Sequence, residues 1–233
     1  MCVFRAALVF DDLLRAAANA AGADYAPVYY TEVLSRMGLA HDVLTPGAIT
    51  AQSLESYSLL SLPPLPPGRL YAETLEAIAA WVEAGGLLIG FATPGLNELF
   101  GIEVTDLIAQ PGDEFTPAAC LRLSDPAWTL GLLDPYDREC SIPIIAPVQV
   151  LAAPECRELA RLLTFFERDT GRPAITYRQV GRGAACYFAF DLARCMLAMH
   201  QGRPVWEDYD GDGWLRTSDQ VATRPFPADV PYS

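Results

Sequence analysis

The stretch IAAWVEAGGLLIGFATPG, residues 78–95, contains a turn from a helix into a strand. Over residues 70–83, apolar side chains recur every three or four positions on one face, which predicts an amphipathic helix. The glycine pair at 85–86 ends that helix, because glycine readily adopts the left-handed backbone conformation of a helix C-cap. Residues 87–92 form a continuous apolar run, typical of a strand buried on both faces. The stretch therefore indicates an α/β domain.

Earlier apolar runs repeat this pattern. Residues 6–10 form an apolar run that two aspartates follow, and residues 41–44 and 58–62 are interpreted as the second and third short strands. Residues 26–37, between the first two runs, have apolar positions at helical spacing. Buried strands that alternate with helices predict a parallel sheet covered by helices on both faces. The predicted fold class is α/β, with a three-layer, mainly parallel, flavodoxin-like sheet.

The second half of the chain is less regular. Residues 102–152 contain three short apolar segments, which we expect to be strands of a smaller antiparallel insertion. Residues 156–169 are interpreted as a helix, or as a mixture of strand and helix. Residues 174–178 and 186–190 flank a glycine turn, which predicts a β-hairpin. A closing helix follows the hairpin, with Asp191 as its expected N-cap.

The composition excludes several classes of protein. The chain has 233 residues, a formal net charge of −13 and no lysine. The negative charge argues against nucleic acids and anionic membranes as partners, because both attract basic surfaces. The lack of lysine excludes a Schiff base or a phosphate-loop lysine. Six scattered cysteines without metal-binding spacing, and a start that is not a secretory signal, predict free thiols in a reducing, cytoplasmic compartment.

Two segments together resemble a known family. IAAWVEAGGLLIGFATPG has a helix that ends in Gly-Gly before an apolar strand, and PAITYRQVGRGAACYFAFDLA, residues 173–193, has a Gly-Arg-Gly hairpin before a strand that ends in Phe-Asp. The pattern resembles the class I glutamine-amidotransferase-like fold, in the non-catalytic version of β-galactosidase trimerisation domains and ThuA-like proteins. The resemblance covers roughly residues 5–200.

The resemblance also implies where catalytic residues would lie. Catalytic members of the family have a cysteine nucleophile after the strand that corresponds to residues 87–91, and a histidine and a glutamate after the strand that corresponds to residues 186–190. Here the two places read FATPG and FDLA, without cysteine or histidine. Neither His41 nor His200 is placed to act as the base. The resemblance therefore implies a domain without glutaminase activity.

Polar residues follow several predicted strands. They are Asp11, Asp12, Thr93 and Asp191. The carboxyl ends of parallel strands meet at one edge of a sheet, so these residues can line one ligand-binding pocket. Two carboxylates that share a pocket, Asp11 and Asp191, can support acid-base catalysis, as in a hydrolase acting on a sugar-like or amide substrate. Alternatively, Asp191 only caps a helix, and Asp11 and Asp12 are solvated loop residues.

The expected domain spans residues 1–202, and the tail from 203 to 233 contains DYDGDGWLRTSD, residues 208–219. This segment resembles the calcium loops of EF-hands and dockerins, with glycine at the sixth position. The predicted calcium ligands are Asp208, Asp210, Asp212, the Trp214 carbonyl and Asp219. The alternative is a hydrated acidic turn.

The family resemblance implies the function that we expect. A non-catalytic domain of this kind binds a small-molecule or protein ligand, or mediates assembly, including the formation of homo-oligomers. The chain ends on PADVPYS without a closing helix or strand. We therefore expect it to be the N-terminal part of a larger protein. The resemblance alone implies that this protein handles carbohydrates, and the hydrolase described above is the alternative.

Overall fold

A nine-stranded sheet runs through the chain in the computed structural model, which describes residues 4–21, 25–110, 116–128 and 140–200. The strands of the described regions are β1 (Ala6–Val9), β2 (His41–Leu44), β3 (Leu59–Leu62), β4 (Leu87–Phe91), β5 (Glu103–Ile108), β6 (Ala119–Leu123), β7 (Ile142–Ile144), β8 (Val148–Ala152), β9 (Arg157–Leu163), β10 (Asp169–Val180) and β11 (Gly183–Phe188). The helices are α1 (Asp12–Ala20), α2 (Tyr29–Arg36), α3 (Ala51–Leu54), α4 (Ala72–Glu83), α5 (Asn97–Phe100) and α6 (Leu192–His200). Short 3-10 helices cover Ala26–Val28, Pro46–Ala48 and Pro126–Trp128.

The sheet has a parallel half and an antiparallel half. Strands β2, β1, β3, β4 and β11 lie side by side in that order, and each pairs with its neighbour in parallel. Strands β10, β9, β6 and β7 continue the sheet through antiparallel pairs. The parallel half has the strand order of a flavodoxin-like sheet. The predicted α/β fold class is confirmed.

Helices cover both faces of the parallel half. In β1, Ala7 belongs to one core cluster and Leu8 to another, because successive side chains of a strand point to opposite faces. The cluster around Ala7 includes Leu54 of α3 and Ile78 of α4. The cluster around Leu8 includes Tyr30 of α2. The order helix, sheet, helix gives the three layers that the sequence predicts.

The interpretation of residues 156–169 as a helix, or as part helix, is wrong. This segment is strand β9, a turn and the start of β10. Strand β9 lies inside the sheet, between β10 and β6. Its backbone hydrogen bonds therefore go to two distant strands, and this tertiary pairing overrides a local sequence that suits a helix.

The strands within residues 102–152 do not form one separate insertion. Strands β6 and β7 extend the main sheet beyond β9. Strand β8 pairs instead with β5 in a two-stranded antiparallel sheet. The sequence locates these strands but does not indicate their partners, because short apolar segments carry no information about which edge they join.

The described residues show two further features that concern the sequence predictions. Cys120, Cys140, Cys156, Cys186 and Cys195 have free thiols. In the described part of the chain, no helix has the length and apolar character to cross a membrane.

Candidate functional site at the carboxyl edge of the sheet

Asp11 follows β1 and is completely buried. Its Oδ1 accepts hydrogen bonds from the backbone amides of Leu13, at 3.0 Å, and Leu14, at 3.2 Å, so it caps the N-terminus of α1. Arg69 also binds this carboxylate through two nitrogens: Nη2 lies 2.7 Å from Oδ1, and Nε donates to Oδ2. The Arg69 guanidinium lowers the pKa of Asp11 and outweighs the opposing effect of burial. Asp11 is therefore a charged group with its partners already in place.

Asp12 lies next to this pair but points into solvent, in the first turn of α1. The Tyr25 hydroxyl closes the other side of Asp11, where it accepts a hydrogen bond of 2.7 Å from the Asp11 backbone amide. Burial raises the pKa of Tyr25, so the hydroxyl stays protonated.

A sharp turn follows β4 at Ala92, whose φ is +48°. A residue other than glycine rarely adopts this left-handed conformation, because its Cβ then lies too close to the backbone carbonyl oxygen. The Ala92 amide donates a hydrogen bond of 2.8 Å to the Phe188 carbonyl at the end of β11. Ala92 lies in the FATPG segment, and we call this turn the elbow. In the family that the sequence resembles, catalytic members have their nucleophile at such an elbow.

Thr93 supports this elbow from inside the protein. The residue is completely buried, and its Oγ1 accepts a hydrogen bond of 3.2 Å from the Phe91 amide. The same hydroxyl lies 2.8 Å from the Leu62 carbonyl and 3.0 Å from the Pro63 carbonyl, to which it can donate. Thr93 thus ties the end of β4 to the end of β3.

Asp191 follows β11 and is partly buried. Its Oδ1 accepts a hydrogen bond of 3.2 Å from the Arg194 amide, which makes it the N-cap of α6. Burial raises the pKa of Asp191. The Tyr30 hydroxyl accepts a hydrogen bond of 3.0 Å from the Ala193 amide in the same helix turn, and the Tyr30 ring stacks on Phe91 at a centroid distance of 4.7 Å.

The structure places Asp11, Thr93 and Asp191 at the ends of β1, β4 and β11, along the same edge of the sheet, with their side chains engaged in local hydrogen bonds. Two residues that belong to this edge are not among those predicted from the sequence. Arg69 lies 58 residues from Asp11, so no local pattern connects them. Ala92 could be found from its position in FATPG, since a turn directly after a buried strand is where this fold exposes a side chain.

The buried thiols of Cys186 in β11 and Cys195 in α6 are not activated. Burial raises the pKa of Cys186 to about 12 and that of Cys195 to about 12. A thiol with such a pKa is protonated at neutral pH and is a poor nucleophile.

The described residues contain no group of three or more metal-ligating side chains. The predicted calcium ligands Asp208, Asp210, Asp212, Trp214 and Asp219 lie outside the described residues.

Neither a protein-family model nor a curated protein matches this chain. Solved structures do match it. The β-galactosidase from Bacillus circulans sp. alkalophilus has a TM-score of 0.59 and 19% identity, over 84% of this chain and 30% of that chain. The β-galactosidase from Rahnella sp. R3 has a TM-score of 0.56 and 21% identity, over 86% and 32%. A ThuA-like protein from Bacteroides uniformis ATCC 8492 has a TM-score of 0.56 and 13% identity, over 81% and 82%.

These similarities differ in how much of the other protein they cover. This chain spans about a third of the length of the two β-galactosidases but most of the ThuA-like protein. At such low identities the likeness concerns the fold alone. The chain has the fold of the ThuA-like protein and of one part of the β-galactosidases, in agreement with the predicted amidotransferase-like fold.

Proposed function

We propose that this chain is a non-catalytic module that binds a ligand or mediates assembly within a larger, carbohydrate-processing protein. The observation that carries the proposal is the elbow after β4. Catalytic amidotransferase-like proteins need a nucleophile there, and this chain has Ala92. A methyl group cannot attack a carbonyl carbon, and no neighbouring base can activate it. The fold is therefore retained without the group that begins the reaction.

The proposed context is supported by the coverage of the similar structures. The β-galactosidases act on carbohydrates by name, and this chain resembles only about a third of their length. The role that we propose for such a part is to bind a ligand or to mediate assembly. Fold likeness alone does not determine function, so the proposal also depends on the lack of a nucleophile at the elbow.

A hydrolase that uses Asp11 and Asp191 is the alternative. Asp11 suits neither role in acid-base catalysis, because Arg69 and two backbone amides occupy its oxygens and Arg69 lowers its pKa. Asp191 has a raised pKa, which is the direction that a general acid requires. The alternative therefore depends mainly on Asp191.

We expect the purified chain to release no ammonia from glutamine and to hydrolyse no nitrophenyl glycoside above the rate of the heat-denatured protein. We expect no activity because Ala92 supplies no nucleophile and Asp11 is held in an ion pair with Arg69. The assays are run in parallel on wild type, Asp11→Asn and Asp191→Asn. Asp12→Asn is the matched control, because Asp12 is the exposed neighbour of Asp11. Hydrolysis by wild type and Asp12→Asn that is lost in Asp191→Asn, whether or not it is also lost in Asp11→Asn, would overturn the proposal in favour of the hydrolase.

We also propose that the loop over residues 208–219 binds Ca²⁺. The support is its sequence: aspartates at positions one, three, five and twelve and glycine at position six. Carboxylates at this spacing repel one another, and a hard divalent cation bound by their oxygens neutralises that repulsion.

Calcium is expected to raise the thermal midpoint of the wild-type chain relative to EDTA. A ligand at about 100 times its Kd adds about 2.7 kcal/mol to stability, which corresponds to several degrees in a chain of this size. The melt is repeated on Asp212→Ala, which removes a predicted ligand, and on Asp229→Ala, which removes a tail aspartate outside the loop. The loop is not a calcium site if wild type fails to respond, or if Asp212→Ala responds as strongly as wild type.

A further inference from the structure

A groove of about 800 Å³ lies between α4, α5 and the turn of the β10–β11 hairpin, and its lining includes Gly95 of the FATPG segment. We call it the α4 groove. Its apolar lining consists of Leu75, Ala79, Leu96, Leu99 and Val180. A smaller cavity of about 160 Å³ in the proline-rich loop after β3 shares Leu75 and Gly95 with it. The two therefore adjoin each other near the start of α4.

The rim of the α4 groove is acidic. Glu76, Glu83 and Glu98 line it, and all three side chains are exposed. No ion pair within the described part of the chain involves any of them. Among the described residues that line the groove, Arg178 is the one base, and it already pairs with Glu155 at 3.1 Å and donates to the Glu98 carbonyl at 2.5 Å. Among the residues that the structure describes, these three carboxylates therefore form no ion pair.

The length of the α4 groove suits about two turns of a second helix. Its lining residues on α4 span positions 75 to 83 on one side of the helix, about 12 Å at 1.5 Å per residue. A second helix laid along this side places apolar residues at i, i+3, i+4 and i+7 over the floor. Its flanking positions then meet Glu76 and Glu83.

We propose that the α4 groove docks a basic, amphipathic helix of a partner protein. Apolar residues of that helix cover the leucine-lined floor, and its arginine or lysine side chains pair with the three rim glutamates. This inference deepens the binding role proposed above and rests on it. It adds the place of binding and the chemistry of the partner.

The charges argue against the two occupants that the chain itself offers. A second copy carries a net charge of −13. The tail from residue 203 to 233 has six acidic residues and three arginines. Like charges at close approach disfavour docking. A partner segment with an excess of positive charge is complementary to the rim, and the full chain attracts it from a distance as well.

The test is selection from a phage-displayed library of random peptides of about 14 residues, long enough for about 21 Å of helix. The library is selected on the full chain and counter-selected on Ala79→Arg, which places a cation and a long side chain in the floor of the groove. We expect enriched peptides to be rich in arginine and lysine, with apolar residues at helical spacing. Their affinity is expected to fall with rising salt.

A matched pair of triple variants distinguishes the groove from overall charge. The first variant neutralises the rim by combining Glu76→Gln, Glu83→Gln and Glu98→Gln. We expect it to lower the affinity of an enriched peptide by at least 10-fold. Glu55→Gln with Glu73→Gln and Glu103→Gln removes the same charge from exposed glutamates outside the groove, and we expect less than 3-fold weakening. Failure of enrichment, or equal weakening by both variants, would overturn the inference. The non-catalytic function is decided separately, by the ammonia and glycoside assays.

Discussion

Replacing Gly183 with alanine is expected to lower the free energy of unfolding by about 3 kcal/mol or more. A Cβ at this position would lie 2.1 Å from the Val82 carbonyl oxygen and 2.2 Å from the Gly86 carbonyl oxygen. Both are backbone atoms, so no side-chain rotation can relieve the clash. Gly183 begins β11, and the next amide, of Ala184, donates a hydrogen bond of 3.1 Å to Gly86. The methyl group must therefore separate β11 from the end of α4 and disturb the centre of the sheet.

Urea denaturation of wild type and Gly183→Ala measures this loss, with linear extrapolation to water. Gly47→Ala is the control, because a Cβ at Gly47 meets no atom within 4 Å. We expect that variant to differ from wild type by less than about 0.5 kcal/mol. Equal midpoints for Gly183→Ala and wild type would show that β11 and α4 are not in such close contact.

The close approach at Gly183 also explains why part of the fold can be predicted from the sequence. The Gly-Arg-Gly turn and the Gly-Gly after α4 are adjacent in space, so two glycine signals that are far apart in sequence mark one packing contact. The continuous apolar runs of β1 and β4 are visible for a similar local reason, since each strand is covered on both faces.

Elements whose partners are distant are harder to predict. Strand β9 resembles a helix in sequence, but it pairs with β10 and β6 as an extended strand. Strand β7 is three residues long, and its place in the main sheet depends on the edge of β6. Pairing of this kind is set by the whole fold and leaves no local pattern.

The candidate site likewise has residues that the sequence predicts and partners that it does not. Strand-end positions follow from the strand pattern, and this is how Asp11, Thr93 and Asp191 are found. Their partners do not follow from it. Arg69 reaches Asp11 from a loop after β3, and the Tyr30 hydroxyl reaches the first turn of α6 across 163 residues of sequence. Whether a strand-end carboxylate is free or already paired depends on such contacts.

Replacing Asp11 with alanine is expected to destabilise the chain by about 2 to 3 kcal/mol. The variant loses the N-cap of α1 and leaves Arg69 without its buried partner. Arg69 is about one-third exposed, at 32%, so water screens part of the lost charge interaction. Asp11→Asn retains an oxygen for the cap and loses the charge, and we expect it to cost about 1 kcal/mol. Asp12→Ala, at the exposed neighbouring position, is the control and should change stability by at most about 0.5 kcal/mol.

The pH dependence of stability separates the contribution of the Asp11 charge from that of the N-cap of α1. Arg69 lowers the pKa of Asp11 in the folded chain, so the contribution of the ion pair is complete above the pKa of an unfolded aspartate, about 4. It is lost as the pH falls through the lower folded value, because the carboxyl must then be protonated. The stability difference between wild type and Asp11→Asn should therefore be constant between about pH 5 and 7 and shrink below about pH 4. Urea titrations at pH 7, 5 and 3.5 measure it, and a difference that grows in acid would rule out a charged Asp11 paired with Arg69.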